Sequence, residues 1–224
     1  MAGTTVDENN IVYKTLHKII NDAGFIISYD QVLAEAAGKE KLIAIKDCIQ
    51  ITGQSYDEGQ LQNLYNSFLE VLAFSYQHAE IRPQEGVEDV FEALRKEGIR
   101  VIINTGYNEM TAISILEKLQ WEVGVQFDCL ITASDVQHNR PQPDMILLAM
   151  EKFSIDNAIE VVKVGDSVVD IEEGKNAGCG LSIGITTGAH TRQQLALANP
   201  DNIIDHLQEL LPLIEIYAGS SITG

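Results

Sequence analysis

In Val164-Gly165-Asp166-Ser167-Val168-Val169-Asp170, apolar and small residues lead into two aspartates four positions apart. The β-branched run at 161–164 predicts a strand, and 169–177 predicts a helix. Both carboxylates therefore fall where a strand gives way to a helix. Hard oxygen donors so placed suit Mg²⁺. Helix capping by Asp166, favoured by the helix dipole, is the plainer alternative and accounts for one aspartate, leaving the second unexplained.

The same alternation runs outward from this stretch. Downstream, 181–185 reads as a strand. Upstream, helical patterns at 87–96, 109–120 and 143–153 alternate with short apolar runs at 99–104 and 128–132. Strands alternating with helices of this length predict an α/β fold built on a parallel sheet with helices on both faces. In such a sheet the active crevice lies at the carboxyl ends of the strands. The segment before residue 80 is different: it reads as helices alone. Ile11, Leu16, Ile19 and Ile20 share one face of a helix that Gly24 ends, and Ser28 or Asp30 starts the next. Leu42, Ile45 and Ile49 mark a third, and Asp57 opens a fourth carrying Leu61, Leu64, Phe68 and Leu72.

Two further strand ends are polar. In Val101-Ile102-Ile103-Asn104-Thr105-Gly106, a hydroxyl and free backbone N–H groups form an anion cradle, with Gly106 allowing close approach. A Thr-Gly turn that caps a helix fits the same letters. In Arg140-Pro141-Gln142-Pro143-Asp144, flanking prolines stiffen a loop that holds one guanidinium. That cation matters because 33 acidic residues face 15 basic ones, a formal net charge of −18. A surface so negative repels nucleic acid and anionic membranes, while an anionic substrate needs a local cation. No basic-then-apolar leader is visible, and no apolar run is long enough to span a bilayer. Three widely spaced cysteines match neither a zinc pattern nor a disulfide framework, which predicts a reducing, cytoplasmic setting.

Taken in order, Thr105-Gly106, Arg140-Pro-x-Pro and Gly165-Asp166-(x)3-Asp170 resemble the second, third and fourth motifs of the haloacid dehalogenase superfamily, and Gly174-Lys175-Asn176-Ala177-Gly178 fits as well. Ala2-Gly3-Thr4-Thr5-Val6-Asp7 resembles the first motif of its phosphonoacetaldehyde hydrolase branch, where other branches carry Asp at the position of Ala2. The resemblance implies a Rossmann-like core over 1–8 and 80–224 and a helical cap domain over 9–79, inserted after the first motif. It implies a Mg²⁺-dependent phosphoryl hydrolase acting on a small phosphorylated or phosphonate metabolite. In that reading Asp166, Asp170 and the Ala2 carbonyl serve the metal, and Thr105, Gly106 and Arg140 serve the phosphate. Thr4 orients the first loop. Homodimers through the cap occur among such relatives.

Gly38-Lys39-Glu40-Lys41 resembles the branch's glycine-x-x-lysine pattern, which makes Lys41 the candidate Schiff-base residue of a phosphonoacetaldehyde hydrolase. That branch carries a histidine at the position of Ala44 and a methionine at that of Ala37, so a phosphonatase-like phosphatase is the leading expectation. The family's nucleophile, an aspartate ending the first strand, aligns immediately ahead of Met1. Two expectations follow: the gene product extends upstream and includes that aspartate, or this is a non-catalytic phosphate-binding relative. The former leads, because an α/β core without its central strand loses more than a protein's marginal stability.

Overall fold

In a computed structural model that describes residues 1–221, the chain begins with a short strand, β1 (Val6–Asp7). Four helices follow: α1 (Ile11–Asp22), α2 (Tyr29–Ala36), α3 (Lys41–Gln50) and α4 (Glu58–His78). Ser28 caps α2 and Asp57 caps α4, each in a reciprocal box with the glutamine three residues on. Their apolar faces close on one another around Leu16, Ile20, Ile45, Ile49, Phe68 and Leu72, all buried. The chain then returns through β2 (Arg82–Pro83), which pairs antiparallel with β1. The outgoing and returning connections thus lie side by side at the base of the helices. Strands of two residues carry no periodicity, which is why the sequence gives no sign of this ribbon.

Beyond β2 the chain alternates: α5 (Val87–Lys96), β3 (Ile102–Thr105), α6 (Glu109–Leu119), β4 (Cys129–Thr132), α7 (Asp144–Phe153), β5 (Val162–Gly165), α8 (Val168–Ala177), β6 (Leu181–Ile185), α9 (Arg192–Leu197), β7 (Asn202–Ile204) and α10 (Leu210–Ser221). β3 opens three residues later than its apolar run predicts. Ile99 is exposed, and the Val101 N–H is taken by the Asp128 carboxylate instead of a neighbouring strand.

The parallel sheet is interrupted at one place. β3 pairs in parallel with β4, and β5, β6 and β7 pair in parallel in that order, but β3 and β5 do not bond to each other. A cavity of about 680 Å³ lies between them, lined by Ile103 and Val164 from the strands, Phe91 and Met145 from the helices below, and Leu210 and Ile214 from α10. At its polar end the side chains of Asn104 and Lys163 meet across the gap at 2.9 Å. Among the described residues no helix is long and apolar enough to cross a membrane.

Candidate active site

The carboxyl ends of β3 and β5 bring together the residues that the sequence singles out. Asp166 follows β5 directly and is buried. Its Oδ1 accepts from the Thr4 hydroxyl at 2.9 Å, and its Oδ2 accepts from the Ala189 N–H at 2.9 Å. Close packing explains a glycine here: a Cβ on Gly3, whose φ is +79°, would stand 2.3 Å from Asp166 Oδ2. Ala2 lies in the same loop, held by a bridge to Val6. The Thr187 hydroxyl donates to Gly3 O at 2.6 Å and pins the loop from the other side.

Asp170 sits in the first turn of α8, facing the same crevice. Its Oδ1 lies 2.9 Å from Arg140 Nη1 and 3.0 Å from Lys163 Nζ, and its Oδ2 accepts from Ser167. One turn on, Glu173 Oε2 lies 2.8 Å from Arg140 Nε and 2.9 Å from Lys163 Nζ. Asn104 completes the set: its Oδ1 accepts from Arg140 Nη2 at 2.8 Å and its Nδ2 donates to Glu173 at 3.1 Å. Two cations and two carboxylates are thus enclosed together, with every charge answered. Burial pushes the Asp170 carboxyl up, but Arg140 and Lys163 reverse this and hold it well below the usual carboxylate range. Asp166 is pushed upward, first by burial and then by the charge of Asp170. It pairs with no lysine or arginine side chain among the described residues.

Thr105, at the end of β3, is buried, and its hydroxyl accepts from the Tyr107 N–H at 3.2 Å. Gly106 touches the helical segment: an added Cβ would lie 2.7 Å from Lys39 O. Gly38 approaches just as closely, its Cβ position falling 2.2 Å from Ser167 Oγ, and its carbonyl accepts from Arg140 Nη1 at 3.3 Å. The α2–α3 turn therefore lies directly over the crevice. That turn carries Lys41 inward. The amine is buried, donates to Lys39 O and stands 5.3 Å from the centre of the Tyr107 ring. Burial brings Lys41 down to about 8; nearby Glu40 opposes the shift and Arg140 adds to it.

Lys163, Glu173 and Asn104 were not among the expected site residues. Lys163 was detectable as a lone charge inside the apolar run Val161-Val162-Lys163-Val164, and Glu173 as the residue one turn after Asp170 on the same helix face. His190 left no such trace. Its Nδ1 accepts from the Val168 N–H at 3.0 Å and its Nε2 faces Leu33 O of α2 at 3.3 Å, so the ring ties the start of α8 to the helical segment. No three His, Cys, Asp or Glu side chains gather into a metal cluster among the described residues. Asp166 and Asp170 stand as a pair.

Paired aspartates, a threonine hydroxyl and a buried arginine thus stand at the strand ends of a parallel α/β framework, with helices folded over them. The haloacid dehalogenase-like hydrolase family matches residues 1–194. The chain belongs to that family. Phosphonoacetaldehyde hydrolase of Bacillus cereus strain G9842 is 33% identical over 199 residues, covering 84% of this chain and 74% of that protein. The enzyme of strain B4264 is 33% identical over 141 residues, covering 62% of this chain and 52% of that protein. The match thus spans about half the length of some of these relatives. A solved phosphonoacetaldehyde hydrolase-like protein from Oleispira antarctica superposes with a TM-score of 0.82 at 24% identity, covering 96% of this chain and 89% of that one. A hydrolase from Pseudomonas syringae gives 0.84 at 19% identity, covering 96% and 94%. These likenesses are to the fold.

Proposed function

We propose that the chain is the main part of a Mg²⁺-dependent phosphoryl hydrolase of the phosphonatase-like kind, acting on a small phosphorylated or phosphonate metabolite. The observation that carries this reading is the meeting of Thr105, Gly106, Arg140, Asp166 and Asp170 at one crevice beneath the Gly38–Lys41 turn. Thr105 and the N–H groups beside it hold phosphate oxygens. Arg140 supplies positive charge. Residues 9–79 act as a cap on a core of 1–8 and 80–224 and exclude water, which strengthens each electrostatic contact. The donor set fits Mg²⁺: Asp166 is a buried carboxylate without a lysine or arginine partner, and Asp170 and the Ala2 carbonyl offer further hard oxygens. The ion would neutralise charge on the phosphoryl group. Charge and composition favour neither nucleic acid nor membrane as a partner, and they predict a cytoplasmic setting. A homodimer fits this class of protein.

The reaction in this reading needs a nucleophile that forms a phospho-aspartyl intermediate, and the place for it is an aspartate immediately ahead of Met1. Support comes from the gap between β3 and β5, whose facing edges are unpaired and whose walls are apolar, as an intervening strand requires. The Met1 amino group lies at the polar end of that gap, 3.5 Å from Asn104 O. The chain starting at Met1 is therefore expected to show no Mg²⁺-dependent hydrolysis of p-nitrophenyl phosphate. A version extended upstream in frame should show it, and should lose it on Asp166→Ala. Equal turnover by the two versions would end the reading.

A second reading, hydrolysis of phosphonoacetaldehyde through a Schiff base on Lys41, is favoured by one observation. The Lys41 amine is buried and brought down to about 8, where roughly a tenth of it is neutral at pH 7 against well under a hundredth for a lysine near 10.4. Ala37 and Ala44 stand where that branch carries methionine and histidine, so Lys41 is assigned as a charged substrate contact. Borohydride added to the extended protein with phosphonoacetaldehyde should leave Lys41 unmodified by mass spectrometry. A trapped adduct, with acetaldehyde released when borohydride is omitted, would put the second reading first.

A further inference from the structure

Glu8 lies in the turn between β1 and α1, almost wholly out of solvent. Its Oε2 accepts from the Val12 N–H at 3.1 Å, a helix-capping contact, and also from the Tyr76 hydroxyl at 3.1 Å. The Tyr76 hydroxyl lies 2.7 Å from the Tyr107 hydroxyl, and Lys41 Nζ stands over the Tyr107 ring. An unbroken line of contacts thus runs from the outgoing connection of the helical segment, through the last turns of α4, to the turn after Thr105 and Gly106. It ends at the buried amine. A carboxylate that caps a helix N-terminus acts through its negative charge. Glu8 is instead buried, with the Tyr76 hydroxyl against it, where its neutral form is favoured.

We propose that Glu8 is a positioning residue for Lys41: through the Tyr76–Tyr107 pair it fixes the aromatic face beneath the Lys41 amine. The proposal rests on the reading of this cleft as the substrate site. Burial pushes the Glu8 carboxyl up to about 7, against the hydrogen bonds from Val12 and Tyr76, while Lys41 is brought down to about 8. The groups sensing Glu8 come from every side: Tyr13 of α1, Tyr29 of α2, Lys41 of α3, Tyr76 of α4, Tyr107 after β3 and Asp166 after β5. Lys41 in addition senses Glu40, Arg140 and Asp166, each more strongly than Glu8. Below neutrality Glu8 is a neutral acid and Lys41 an ammonium at the other end of this line. As pH rises, Glu8 ionises first, and its new charge adds to those of Glu40 and Asp166 in keeping the proton on Lys41. The cleft therefore keeps its cation further into the alkaline range than burial alone would allow. That suits an anionic substrate.

The test labels lysine with ¹³C and ¹⁵N in the 224-residue chain and follows the Lys41 Cε–Nζ resonance from pH 5 to pH 10, assigned by its loss in Lys41→Arg. Glu8→Gln keeps an acceptor for Val12 and Tyr76 but cannot ionise. Its Lys41 midpoint is expected to fall by about half a pH unit or more. Tyr76→Phe, which breaks the line of hydroxyls, should move the midpoint as well. It serves as the second variant should Glu8→Gln fold poorly. An unchanged midpoint in a folded variant would show that Glu8 only caps α1. The resonance does not depend on turnover, so a midpoint that moves while the extended protein stays inactive would sink the hydrolase reading and leave the Glu8–Lys41 coupling standing.

Discussion

Replacing Arg140 with methionine is expected to remove about 3–5 kcal/mol of stability, a large share of the roughly 5–15 kcal/mol that holds a typical domain together. The guanidinium contacts Asp170, Glu173, Asn104 Oδ1 and the Gly38 carbonyl from a position closed to water. Without it, Lys163 alone faces two buried carboxylates, and the Gly38 carbonyl loses a donor. Urea unfolding followed by fluorescence of Trp121 measures the loss as a lower midpoint. Changing Glu173 to methionine in the same protein should restore part of it, because a stranded carboxylate is replaced by packing. A single-variant loss below about 1 kcal/mol would mean that water reaches this cluster.

The second large effect is a dependence on pH. The folded protein holds Glu8 near 7, above the 4.5 of a free glutamate, so folding favours the protonated form. Its contribution is whole below about pH 4.5 and is lost as pH rises through about 7. Between pH 5 and pH 8 this amounts to about 2–3 kcal/mol, since one pKa unit corresponds to about 1.4 kcal/mol. Glu8→Gln does not titrate. Stability measured by urea titration at both pH values should move in favour of the glutamine variant by that amount on going to pH 8. A difference between the two proteins that stays constant with pH would show that Glu8 reaches solvent.

The candidate site was legible in the sequence wherever a residue's chemistry clashed with its local surroundings. Two aspartates after an apolar strand, a threonine and glycine after another, and an arginine set between prolines each broke the pattern of a purely structural strand end. Lys163 broke it too, a charge within a run of valines, yet strand periodicity alone does not say that it crosses a gap to reach Asn104. Glu8 and Tyr76 gave nothing away. A glutamate before a helix and a tyrosine near the end of an amphipathic one are ordinary letters, and 68 positions of chain separate them.

What the sequence determined by itself was local: helices from their apolar spacing and caps, strands from β-branched runs, and the alternation that makes the sheet parallel. These depend on residues within one or two turns of each other. The tertiary structure decided where those elements stop and which charges meet. It folded the Gly38–Lys41 turn onto Gly106 and enclosed Arg140, Lys163, Asp170 and Glu173 together. It also fixed the charge of the cleft. Glutamate and lysine have ordinary proton affinities in an exposed chain, and only removal from water, which depends on what packs around them, brings Glu8 and Lys41 to within about one pH unit of each other near neutrality.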